Sequence, residues 1–461
     1  MNFRFIIIAI VSTICFIGCK KDATEHNSLQ RGLTIQASTT TSTESATRTT
    51  FNGNETKWVT GDEMTIMVGE SNTTLTSAYT FTCLDDQAGT FSNNTIELNP
   101  ESQYDFYAVY PTSAEVDAAN LSAQITIGAA TQTQDGDSPA HIAQLDPLTG
   151  YATESMPSNV RIPMHHNAAV MAINVVNNQP ATLGIKSLDI IADDGITLCG
   201  TYDIDIASGE LSNPSNASNK ITVNVENSDA ISQDGTFKIY AAIAPCTLPE
   251  NSTLKFVITD TNNIQYEFTK TFAAEFNIVA GDLLSTSFNL SAAETITYSA
   301  DFASVPDGFP RTNLQKEKMF YLFNGKEIGF ESNKGYQYDD ISSCIKFSSN
   351  GKGDDKVAGI YIPQIEGYKL SSLKMSNIAT QNNFKFSLIH QETNGDIVVK
   401  EEIIDMNGEN GSTQSKYIVN NNEASLKEPT DITYIKVFAT TTSTAKTYKC
   451  KGLSLKYTKS E

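Results

Sequence analysis

The chain has 461 residues, with 53 acidic side chains against 32 basic ones, a formal charge of −21, and only 18% charged residues in all. That length allows roughly three domains of about 150 residues. So acidic a surface repels phosphate backbones and excludes nucleic acid as an expected partner. Five histidines and one tryptophan leave a thin stock for acid–base or metal chemistry, so no enzymatic activity and no cofactor are expected.

At the N-terminus Arg4 precedes a mainly apolar run of 13 residues, 5–17. A membrane-spanning helix needs about 20 residues, so this run suits a signal-peptide core. It ends Phe16-Ile17-Gly18-Cys19, which resembles a bacterial lipoprotein cleavage site, although Leu is usual where Phe16 stands. Residues 1–18 are expected to be a signal peptide, Cys19 the lipidated residue, and 19–31 a tether to the outer membrane. A plain secretory signal with an incidental cysteine is the alternative. With Cys15 inside the signal run, the remaining cysteines, Cys83, Cys199, Cys246, Cys344 and Cys450, show no CxxC spacing for zinc or redox work. Cys344 and Cys450 fall in one domain, and sequence leaves their pairing open.

Next comes Gly32-Leu33-Thr34-Ile35-Gln36-Ala37, which places Leu33, Ile35 and Ala37 on one face of an extended segment. Residues 38–50 are almost wholly Ser and Thr and read as an exposed link. Beyond them, nearly every apolar segment has strand length. Tyr104–Tyr110 is aromatic-rich and ends at Pro111, while Lys220–Glu226 alternates with Ile221, Val223 and Val225 on one face. Segments 237–243, 254–258, 283–290, 369–375, 384–390, 432–439 and 453–457 behave alike, with turn residues between them. The expected fold is all-β, in three sandwiches.

Charge sets one boundary. Residues 296–461 hold 20 basic and 20 acidic side chains, so residues 1–295 carry the whole −21. A turn-rich stretch ending near residue 160 sets another. The expected units are therefore 32–160, 161–295 and 296–461.

Thr47-Arg48-Thr49, Lys57-Trp58-Val59-Thr60-Gly61-Asp62-Glu63-Met64 and Tyr107-Ala108-Val109-Tyr110-Pro111 resemble the N-terminal half of the Bacteroidales fimbrillin family. Residues 163–169 (PMHHNAA), 240–245 and Ala280-Gly281-Asp282 resemble its second half, so the likeness spans roughly 30–290. It implies two tandem transthyretin-like sandwiches in a type V pilus subunit. The implied precursor is a lipoprotein from which an arginine-specific protease removes a first strand, and a strand of another subunit then fills the groove. The extra C-terminal unit loosely resembles jelly-roll carbohydrate-binding modules. It points to an accessory or tip subunit with a candidate adhesive domain.

The residues bear on this independently. There are only five arginines, Arg4, Arg31, Arg48, Arg161 and Arg311, and no Lys or Arg from Trp58 through Val160. Arg48 and Arg31 are the processing candidates, and Leu33, Ile35 and Ala37 mark the removable strand. Cleavage after Arg48 discards that strand, and cleavage after Arg31 retains it. Trp58 is expected to anchor a core beside a Gly61-Asp62 turn. His165 and His166, if extended, point to opposite faces and cannot chelate one ion.

For the last unit the glycan-binding candidates are Tyr336, Tyr338, Asp339, Tyr361 and Tyr368, with Tyr321, Asp340 and Asn382-Asn383 nearby. Core or rim positions are the alternative for these tyrosines, since no Trp is available there. Asp135 with Asp137, and Asp354 with Asp355, are the calcium candidates, with solvated turns as the alternative. The receptor expected for the adhesive unit is a host or bacterial surface glycan or protein. The competing functional reading is a monomeric surface glycan-binding lipoprotein. No nucleophile elbow, zinc-protease or P-loop motif occurs.

Overall fold

The computed structural model describes residues 30–39, 50–51, 56–112, 114–312, 314–341, 343–349, 356–377, 384–391, 397–403, 417–420, 423–439 and 446–460. Among them the fold is all-β, with two short 3-10 turns, Ala140–Gln144 and Leu290–Ala292.

The first unit is a closed barrel of seven strands. Its order is Gln30–Thr39, Val160–His166, Leu148–Ser155, Tyr104–Tyr110, Glu63–Glu70, Ser77–Asp85 and Thr90–Leu98, with the last returning to the first. Alternation decides what goes inside. Met64, Ile66, Phe81, Phe91, Phe106, Ile162 and Met164 fill the interior. Closure leaves the barrel no free edge.

The expected boundary at 160/161 falls at the head of Val160–His166, a strand that completes this first barrel. Residues 115–144 leave in the other direction. Ser122–Ile127 pairs with Cys199–Asp205, and Thr131–Asp135 runs parallel to Lys220–Glu226. The two units are thus interleaved in sequence. Hydrogen bonds between distant strands decide this, and local turn composition does not report it.

The second unit stacks the sheet Gly235–Ile243, Ala169–Asn177, Leu283–Asn289 against strands of a much larger sheet. Ile173, Val175, Ile190, Ile221, Ile239 and Ile258 lie between them. The larger sheet runs on without a break. Thr295–Asp301 pairs with Gln265–Thr271 on one side and with Lys446–Lys459 on the other. The charge step near 295 therefore separates two surfaces but not two sheets.

In the third unit that shared sheet faces a six-stranded one built from Met319–Phe323, Lys326–Glu331, Lys356–Tyr361, Tyr434–Ala439, Phe384–Gln391 and Ile397–Ile403. Aromatic rings fill the space between them. Phe330 lies 5.7 Å from Phe302, 6.1 Å from Phe347 and 5.9 Å from Tyr336, centroid to centroid.

Candidate functional site: the leading-strand slot

The strand Gln30–Thr39 occupies a slot that its own alternation fits. Leu33, Ile35 and Ala37 are 2%, 1% and 1% exposed, while Thr34, Gln36 and Ser38 face solvent. Full burial of a Leu or Ile side chain contributes roughly 1.5–3 kcal/mol. Its first half pairs antiparallel with Thr90–Leu98, from Gln30↔Leu98 to Gln36↔Thr90. Its second half pairs parallel with Val160–His166, from Ile35↔Val160 to Thr39↔Met164. The strand is thus a stitch that closes the barrel between two partners.

Arg31 is exposed at the head of this strand, where the register slips around Gly32. Gly32 has φ +82°, a left-handed conformation that Gly adopts without the Cβ penalty. A cut after Arg31 leaves residues 32–39 seated. Residues 40–49 link the strand to the rest of the chain; they, Arg48 and Cys19 lie outside the described residues.

The far end of the strand meets Trp58. Where the antiparallel ladder stops at Thr90, the Ala37 N–H donates to the Gly89 carbonyl at 2.9 Å. The Ala37 carbonyl accepts the Trp58 indole Nε1–H at 3.0 Å. Trp58 is 2% exposed and lies edge-on to Phe91 (4.8 Å) and Tyr110 (5.3 Å). The turn after it is pinned at several points. The Val59 N–H donates to the Asp62 carboxylate at 2.7 Å, and the Gly61 N–H donates to the Cys83 carbonyl at 2.9 Å. Trp58 is the core anchor that its place beside the Gly61-Asp62 turn leads one to expect; its bond to the leading strand carries no sequence signal, because the two are 21 residues apart.

The tyrosines expected to bind sugar do not form a platform. Tyr336, Tyr338 and Tyr368 are 0%, 6% and 9% exposed. Tyr338 donates its hydroxyl to the Ala303 carbonyl, and Tyr368 donates to the Ala293 carbonyl at 2.7 Å. They are inward positions of the third unit, and a buried ring has no face to offer a sugar. Tyr361 is partly exposed, but the Lys318 ammonium sits 3.6 Å from its ring centroid and the Tyr434 ring 4.6 Å away. Asp339 is paired with Lys449 at 2.7 Å, and Asp340 with Arg311 at 2.7 Å. Tyr321 packs against Phe309, with ring centroids 4.5 Å apart and the planes tilted by 50°. Asn382 and Asn383 lie outside the described residues.

The remaining candidates have structural surroundings. The Asp135 carboxylate accepts from the Asn227 amide at 2.8 Å. Asp354 and Asp355 lie outside the described residues. Among the described residues, no three His, Cys, Asp or Glu side chains stand together as a metal site. His166 Nδ1 lies 2.5 Å from the buried Asp146 carboxylate, whose other oxygen accepts the Ala168 N–H at 3.0 Å. His165 is exposed on the other face of its strand. Cys344 and Cys450 are free and buried. Cys450 stands opposite Ile345, so Cys344, one position earlier, points to the other face of the sheet.

A second slot lies open on the second unit. It is an apolar groove of about 550 Å³ lined by Leu254, Phe256, Phe272, Phe276, Leu284 and Phe288, among others. One of its walls, Leu283–Asn289, is the outermost strand of its sheet.

The fimbrillin-like family model matches residues 47–303, more than half of the chain. A comparison with curated proteins returns no match. Among solved structures, a proposed cell adhesion protein from Bacteroides ovatus is 16% identical, with a TM-score of 0.41 over 58% of this chain and 95% of that one. One from Bacteroides uniformis is 15% identical, with a TM-score of 0.37 over 57% and 95%. The tip fimbrial protein Mfa3 from Porphyromonas gingivalis is 10% identical, with a TM-score of 0.30 over 60% and 96%. The match over residues 47–303 carries the assignment: this chain belongs to the fimbrillin-like family.

Proposed function

We propose that the chain is an accessory or tip subunit of a fimbrium, exported as a lipoprotein anchored at Cys19 and opened by cleavage after Arg48. The loss of residues 30–39 then lets a strand of a neighbouring subunit enter the barrel. Family membership supports the fimbrial part of this reading. The observation that carries the rest is the position of the leading strand. It supplies Leu33, Ile35 and Ala37 to the interior, yet one cut in residues 40–49 severs its covalent tie. An emptied slot exposes apolar surface and two unpaired strand edges, and a foreign strand restores both.

The third unit supports an accessory or tip place in the fibre. Lys446–Lys459 is held between Thr295–Asp301, Cys344–Ser349 and Tyr368–Asn377. A strand locked among three partners is not one to donate. The chain thus accepts a strand without offering this one, and the third unit serves as the candidate adhesive domain.

The test uses cells that export the full chain with or without Arg48→Ala. The reading predicts that mature protein begins at Thr49 and enters fibres, and that the variant keeps residues 30–39 and stays out. Fibres containing unprocessed chain would contradict it.

A further inference from the structure

We propose that Trp58 fixes the register of whichever strand fills the slot, by donating its indole N–H to the backbone carbonyl at the position now held by Ala37. This rests on the strand-acceptor reading above and adds the residue that reads the incoming backbone.

Three observations carry it. The ladder with Thr90–Leu98 has its last pair at Gln36↔Thr90. One residue further on, Trp58 supplies the donor that another ladder residue would have supplied. In an extended residue the N–H and C=O point to the same side, so the Gly89 carbonyl and the Trp58 indole together cap Ala37 on that edge. Trp58 is held independently of the leading strand, by Phe91, by Tyr110 and by the pinned 59–62 turn. It also lies C-terminal to residues 40–49, so it stays with the acceptor after the cut.

An indole N–H fixed inside a slot is a donor with one place to go. A strand that slides by one residue turns its inward side chains outward and presents an N–H and C=O pair to the opposite edge. A two-residue slip keeps the faces but moves the chain past the end of the ladder. Only registers of this phase satisfy the interior, Gly89 and Trp58 together, and among them the native one alone pairs the full ladder with Thr90–Leu98. Because the contact is to backbone, it accepts any side-chain sequence with the right alternation, as a subunit joining different neighbours requires. Trp58 is thus a positioning residue.

The experiment uses the full chain with a specific protease site placed in residues 40–49, cut, and then exchanged with a fluorescent synthetic peptide of residues 30–39. A second peptide carries an ester in place of the amide between positions 37 and 38, which weakens that carbonyl as an acceptor. Both are titrated by anisotropy into the cut wild type and the cut Trp58→Phe variant. The proposal expects the ester to cost about tenfold more affinity in the wild type than in the variant. An equal ester penalty in the two proteins overturns it while leaving the slot intact. Binding of neither peptide overturns the acceptor reading and this inference together. A readout without substitution guards against a variant that fails to fold. The chain has one tryptophan, so its single indole N–H resonance is unambiguous. Hydrogen exchange at that group should be slower with the amide peptide than with the ester, and equal rates overturn the proposal.

Discussion

The side-chain oxygen of Gln134 accepts the backbone N–H of Tyr240 at 2.7 Å. Its amide donates to the Lys238 carbonyl, also at 2.7 Å. Gln132 does the same one step along, accepting from the Ala242 N–H at 3.0 Å and donating to the Ala242 carbonyl at 2.8 Å. Both glutamines are buried. Two carboxamides thus seal the edge of Gly235–Ile243 where, among the described residues, no strand pairs with it, and they block strand addition there. Gln134→Leu leaves a buried N–H and C=O unpaired at a cost of about 2–4 kcal/mol. Chemical denaturation should show that loss, with a greater tendency to aggregate, and an unchanged midpoint would refute the sealing role.

The leading strand should show a two-faced response to substitution. Ile35→Ala opens a cavity between Phe91 and Val160, its two cross-strand neighbours, and should cost about 2–4 kcal/mol. Thr34→Ala lies on the exposed face and should change stability by less than about 0.5 kcal/mol. Equal effects at the two positions would mean that the strand is not registered as described.

Asp260 predicts a pH dependence. Its side chain is 1% exposed, and burial pushes its carboxyl up to about 6, against hydrogen bonds from Asn262, Ile264 and Tyr266 that favour the charged form. In the unfolded chain the group titrates near the ordinary value of about 3.9. Between the two values the folded state binds more protons than the unfolded one, so stability falls as pH rises. The contribution is complete below about pH 4 and lost above about pH 6. Asp260→Asn removes this term, so its stability relative to wild type should improve by up to about 3 kcal/mol from pH 4 to pH 7. A gap that stays constant with pH would contradict it.

The thiols should be inert in the native protein. Burial pushes Cys450 to about 12 and Cys83, Cys199 and Cys246 to about 11, and raises Cys344. The thiolate is the reactive form, so in a chain that begins after Cys19 a disulfide-exchange reagent at pH 8 should titrate none of these five when it is folded and all five once it is unfolded. Rapid native reaction at Cys344 or Cys450 would show their region to be open.

Much of the architecture is legible in residue alternation. Leu33, Ile35 and Ala37 mark their strand because every second residue is apolar, and the structure buries all three. What alternation cannot report is the partner. Val160–His166 reads as the start of a second unit, but its inward Ile162 and Met164 complete the first. The excursion of residues 115–144 and the sheet running through Thr295–Asp301 are likewise settled by distant pairings. Tyr336, Tyr338 and Tyr368 fail as a sugar platform for a related reason. Sequence places a tyrosine on a strand, and only the facing sheet decides whether its ring meets water.

Strand acceptance requires that residues 30–39 leave the barrel and be replaced. Trp58 reports on this directly, being the single tryptophan and packed against the strand's end. The full chain, cut within residues 40–49 and stripped of the strand in mild denaturant, should show tryptophan emission shifted to the red. Adding an excess of the 30–39 peptide should restore the buried, blue-shifted emission. Emission that is unmoved by removal of the strand, or that never recovers when the peptide is supplied, would contradict the central claim.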